Sequence, residues 1–155
     1  MTEISPGLRE PQIVLPWLVR LRWLAVAGQL TATALAITLA GLAPPINVIA
    51  AVSATTIASN VGLLLMLRSR RALPGWIAPA VILLDILLLT ILLFFTGGPH
   101  NPFSTLYLVH VAMAVAVLGT AWTWIIVLAT GGLYALLFVK HLPLYQPETP
   151  PPAWG

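Results

Sequence analysis

Two long apolar stretches dominate this chain. Residues 23 to 67 carry no charged side chain, and residues 86 to 139 carry none apart from the histidines His100 and His110. A bilayer core about 30 Å thick is crossed by about 20 helical residues, so each stretch has room for two or more spans. The alternation of a lipid-facing barrel strand is missing, which leaves helices as the spanning element. The breaks place five of them. A first helix over about 23–42 ends before Pro44-Pro45, which cannot continue it, and a second runs over about 46–67 to the Arg68–Arg71 cluster. A third runs from near Trp76 to Gly97-Gly98, a fourth over about 104–121 and a fifth over about 123–141. The pattern predicts an all-α, polytopic transmembrane bundle with five spans.

Composition agrees with the pattern: of 155 residues, 59% are hydrophobic and 7% are charged. A net charge of +3 does not imply nucleic-acid binding here, because the basic residues flank the apolar spans instead of forming a patch. Arg9, Arg20 and Arg22 precede the first span, and Arg68, Arg70 and Arg71 follow the second. If the spans alternate, all six arginines share one face, and that face is cytoplasmic. Trp23, Trp76, Trp122 and Trp124 are expected at the same boundary, with Arg20, Arg22 and Trp23 in the headgroup zone. The expected organisation is a cytoplasmic segment over residues 1–22, a membrane domain over 23–141 and a proline-rich extracytoplasmic tail over 142–155. Cysteine is absent, so the chain has no thiol chemistry of its own.

Several groups interrupt the apolar spans. Gly28, Ala32, Ala36 and Ala40 recur every fourth residue on the first helix, as do Ala50, Ala54, Ala58 and Gly62 on the second. Such ridges permit close approach in lipid, either in a hairpin of the two helices or at a homodimer face. Asp85 lies about 13 Å along the third helix from Trp76. A carboxylate at that depth is costly unless paired, protonated or wetted. Gln29 and Asn60 are expected at a similar depth, where the three could form a packing cluster or a signal or proton relay. His110 lies about one and a half turns into the fourth span, with Thr90 at a comparable level on the third. His100, His110 and His141 show no metal-ligand spacing, so no metal site is expected.

The run Thr96–Phe103, TGGPHNPF, exceeds what a hairpin turn needs. Gly97 and Gly98 can end a helix at positive φ, Asn101 before Pro102 is directed to extended backbone, and Pro102 suits the first turn of the next helix. His100 and Asn101 add hydrogen-bonding groups, while Phe103 and Tyr107 add aromatic faces. A flat quinone headgroup with two carbonyl acceptors suits such a place, its isoprenoid tail remaining in lipid. A plain rigid connector is the other reading of the same residues.

The run GGPHNPF resembles the GGxxNPF heptapeptide of RegB/PrrB-type redox-sensing histidine kinases of proteobacteria. Arg22-Trp23 with Gly28-Gln29 resembles the opening of that family's first span, and Asp85, Leu89 and Thr90 before the glycine pair resemble its third. The likeness extends over most of residues 9 to 140. It implies a bacterial inner-membrane sensor domain, with its N-terminus cytoplasmic, that binds ubiquinone near the loop between the third and fourth helices. By resemblance, Gly97, Gly98, Asn101, Pro102 and Phe103 inherit that role, with His100, Tyr107 and Thr90 as further candidates and Pro99 at a variable position. The family has six spans, so a sixth helix is expected to be missing, together with the phosphoacceptor and ATP-binding domains. These residues alone are therefore expected to have no kinase activity. The partners implied are membrane lipid, quinone, a second copy through the parent kinase and a cognate response regulator. A non-sensing membrane anchor and a small transporter with Asp85, His110 and Asn60 on its route remain alternative readings.

Overall fold

The computed structural model describes residues 11–69 and 73–142. Arg9, Arg70, Arg71 and all of the expected tail except Leu142 lie outside the described residues. Five α-helices follow in order, with two short 3₁₀ turns between the third and fourth. They are α1 (Pro11–Thr38), α2 (Ile46–Arg68), α3 (Ile77–Phe95), α4 (Leu106–Val117) and α5 (Thr120–Val139). No strand occurs among the described residues, so the all-helical bundle expected from the apolar pattern is the fold.

Helix α3 is central and packs against α1, α2, α4 and α5. Its Ile82, Ile86, Leu89 and Leu93 recur at helical spacing and are buried. Leu15, Leu18, Leu63, Tyr107, Ala114, Ile126 and Leu137 complete the same core from the other helices. The outer surface is apolar too: Leu108 and Leu128 are about 70% exposed. Water would penalise such a surface, whereas lipid tails do not. Among the described residues three helices, α2, α3 and α5, are long and apolar enough to cross a membrane. The stretch Pro102–Val117 is apolar but shorter.

Helix α1 differs most from its expected range, starting at Pro11 and ending at Thr38. Pro16 lies inside it without ending it, at the cost of one backbone hydrogen bond. Val14, Leu15, Leu18 and Val19 are buried in the core, and this apolar stripe outweighs the local cost of proline. The C-terminus of α1 stops at a turn with Gly41 at φ +60°, ahead of the proline pair. At the opposite side of the bundle, Leu118 and Gly119 are extended. The Thr123 hydroxyl caps that break by donating to the carbonyls of Ala114 and Gly119 at 3.2 Å each.

Candidate functional site: a stiff turn above a buried polar seam

The hairpin of α1 and α2 forms, but not along the small-residue ridges. Gly28 on α1, and Ala50, Ala54 and Ala58 on α2, are exposed, Ala32, Ala36 and Gly62 are half-buried, and Ala40 lies beyond the end of α1. The buried face of α2 is Ile49, Val52, Ser53, Thr56, Asn60 and Leu63. Hydrogen bonding decides this choice, because a buried polar side chain must find a partner, while an alanine is content against lipid. Gln29 donates to the Ser53 hydroxyl at 3.1 Å, and the Asn60 amide donates to the Val19 carbonyl at 3.1 Å.

Asp85 does not join Gln29 or Asn60 directly; Arg22 is its partner. The Arg22 Nε and Nη2 lie 3.0 and 2.9 Å from the Asp85 Oδ1, and Nη2 also donates to the Ser59 hydroxyl at 2.7 Å. The headgroup placement expected for Arg22 is thereby corrected, since its side chain is only 4% exposed. A carboxylate inside an apolar bundle needs a counter-charge more than an arginine beside an apolar run needs water. The sequence signal was present in the two groups, one unpaired acid and one arginine beside an apolar run. Helix α1 had to begin before residue 22 for them to meet. Two buried polar atoms of the seam have no protein partner, Arg22 Nη1 and Asn60 Oδ1.

Nearer the other end of α3, Thr90 meets Tyr107 of α4, with 2.6 Å between their hydroxyls. Thr90 also donates to the Ile86 carbonyl at 2.7 Å, so its one proton is used there and Tyr107 is the donor to Thr90. Tyr107 stacks edge to face on Tyr134 of α5, which stacks in turn on Phe138. His110 turns its Nδ1 to the Leu106 carbonyl of its own helix at 2.8 Å.

The turn itself is held from within. Gly97 has φ +102° and Gly98 φ +60°, values that suit glycine and terminate α3 as expected. Asn101 is extended, at φ −72° and ψ 127°, as its position before proline requires. Its Oδ1 accepts from the Phe103 N–H at 2.9 Å. Its amide nitrogen lies 2.8 Å from the Thr96 carbonyl and 2.9 Å from the Thr96 hydroxyl. The Asn101 side chain thus staples both ends of its own turn instead of offering donors outward. His100, Pro102 and Phe103 are exposed.

The end of α5 closes this turn from the side. The Gly97 N–H donates to the Leu142 carbonyl at 3.1 Å, and the Leu142 N–H donates to the Phe94 carbonyl at 2.7 Å. The His141 ring covers Gly98 so closely that an added Cβ would lie 2.5 Å from its Cγ. One groove, of about 330 Å³, runs along α2 and α3 between Asn47, Val48, Ala51, Thr55, Leu88 and Phe95. It is mainly apolar and ends at Phe95, beside the turn.

Comparison with known proteins bears out the likeness read from the motif. Over 128 residues, 82% of its length, this chain is 36% identical to Sensor histidine kinase RegB of Cereibacter sphaeroides. The matched part is 28% of that protein. No family model and no solved structure matches.

Proposed function

We propose that this membrane chain, a relative of RegB over four-fifths of its length, is the sensor domain of a two-component histidine kinase and binds ubiquinone at the turn between α3 and α4. The stapled turn carries this reading. It holds Phe103 and the His100 imidazole outward on a backbone that Asn101, Gly97 and Gly98 make rigid. A planar headgroup would stack on Phe103 and accept a hydrogen bond from His100, while the tail lies in lipid along the bundle. Asn101 then acts by shaping the turn, since its own groups are already bonded.

Signalling follows from packing. The turn continues into α3 on one side and α4 on the other, and both are tied by Thr90–Tyr107. A quinone can bias the bundle only if it binds two arrangements of these helices unequally. Such a bias would pass to a kinase in the same membrane-anchored dimer and on to a response regulator. In this reading the turn faces the extracytoplasmic side of the bacterial inner membrane, with the N-terminus of α1 cytoplasmic.

The test is a titration of the purified domain in nanodiscs with a short-chain ubiquinone, followed by tryptophan fluorescence. Phe103→Ala should weaken binding at least tenfold without altering the fold, because Phe103 is exposed. Binding that is absent in the parent protein, or equal in the variant, removes the quinone site.

A further inference from the structure

We propose that His100 and His141 form a two-imidazole site for a late first-row divalent cation, such as Cu²⁺ or Zn²⁺, that fastens the end of α5 to the α3–α4 turn. The residues are far apart in sequence, and only the fold joins them: their ring centres are 6.0 Å apart. Metal–nitrogen distances of about 2.0–2.1 Å put the centres of two coordinating imidazoles about 4.5–5.2 Å apart at bond angles of about 90–110°. A rotation of His100, which is exposed, spans that difference.

The tautomer of His141 is set for this role. Its Nδ1 lies 2.8 Å from the Leu137 carbonyl. A carbonyl only accepts, so Nδ1 carries the proton and the neutral ring keeps its lone pair on Nε2. This is the arrangement in which a backbone carbonyl orients a metal-binding histidine. The base of the His141 side chain, Cβ and Cγ, with Cδ2 next, lies against Gly98, two residues before His100. Movement of the His141 backbone is limited by the hydrogen bonds of the next residue, Leu142, to Phe94 and Gly97. One ligand is therefore pre-oriented and the other is adjustable, with water completing the coordination.

The ligand set selects the ion class. Two neutral imidazoles favour Cu²⁺, Ni²⁺ and Zn²⁺ over Mg²⁺ or Ca²⁺, with Cu²⁺ the tightest. Among the described residues no group of three or more histidine, cysteine or acidic side chains is placed to hold a metal, so a two-ligand site of micromolar strength is expected, not a permanent structural ion. Binding would add a third tie to the two backbone bonds that join Leu142 to Gly97 of the turn and to Phe94 at the end of α3.

The experiment is isothermal titration of the whole chain in nanodiscs with CuCl₂ and, separately, MgCl₂, without quinone, so its outcome is independent of the sensor reading. The parent protein should bind one Cu²⁺ more than the His100→Gln, His141→Gln double variant, and should show no such difference with Mg²⁺. His100→Gln alone should weaken that extra binding at least tenfold while leaving the thermal midpoint of the metal-free protein unchanged. Electron paramagnetic resonance should assign two nitrogen ligands to the extra Cu²⁺ in the parent protein. Equal Cu²⁺ stoichiometry and affinity in the parent and the double variant, or an undiminished affinity in His100→Gln, overturns the proposal.

Discussion

Arg22 of α1 and Asp85 of α3 form an ion pair inside the bundle, 2.9 Å apart at their closest and nearly sealed from the surface. Two charges in such a place stabilise only as a pair, because each alone would face the desolvation penalty uncompensated. Asp85→Leu should therefore destabilise the domain by about 3–5 kcal/mol. Adding Arg22→Leu to it should restore most of the loss. Thermal unfolding in one detergent compares the variants, and a double variant no more stable than Asp85→Leu would show that the pair is not what the charges depend on.

The hydroxyl pair of Thr90 and Tyr107 makes an asymmetric prediction. Tyr107 is the donor and Thr90 the acceptor, because the Thr90 proton goes to Ile86. Thr90→Val leaves a buried phenol donor without a partner and should cost about 1–3 kcal/mol. Tyr107→Phe leaves Thr90 still bonded to its own helix and should cost nearer 1 kcal/mol. Chemical denaturation of both variants tests the order, and a larger loss for Tyr107→Phe reverses the donor assignment.

The arrangement of helices was legible because lipid imposes a coarse rule on the sequence. Uncharged length predicted five helices, and the breaks at Pro44-Pro45, Arg68 and Gly97-Gly98 fall where the structure has them. The positive φ of both glycines and the extended Asn101 followed from local sterics. Partner choice was not legible. Arg22 was read as an interfacial residue because the helix start was placed after it, and the ridges of α1 and α2 suggested a seam that Gln29, Ser53 and Asn60 instead define. Periodicity says which residues share a face; it does not say which face finds the better hydrogen-bond partners. The approach of His141 to Gly98 is a long-range contact with no local signal at all.

Asn101 separates a shaping role from a direct one. Asn101→Asp keeps the acceptor for the Phe103 N–H but loses the amide donated to Thr96, whereas Asn101→Ala loses both. If the side chain works by stapling the turn, quinone affinity should fall in the order parent, Asp, Ala, and stability should fall with it, by about 1 kcal/mol for Ala as for a lost cap. Titration and unfolding on the same preparations decide the point. Lost affinity at full stability would make Asn101 a direct ligand instead.

Gly97 and Gly98 resemble each other in sequence and differ in surroundings. Both have positive φ, but nothing lies within 4 Å of a Cβ added at Gly97, while at Gly98 it would meet the Cγ, Cβ and Cδ2 of His141. Gly97→Ala should then cost about 1–2 kcal/mol, the left-handed backbone penalty alone. Gly98→Ala should cost more, since the ring must also be displaced and the Leu142 bridge to Phe94 and Gly97 strained. His141→Gly removes the obstructing ring together with its Cβ, so in its background the two glycine substitutions should become nearly equal. Unfolding of the three single and two double variants measures this coupling. A Gly98→Ala penalty unchanged by His141→Gly would mean that the His141 side chain does not constrain the turn, and that the chain after α5 reports on it only through the backbone bonds at Leu142.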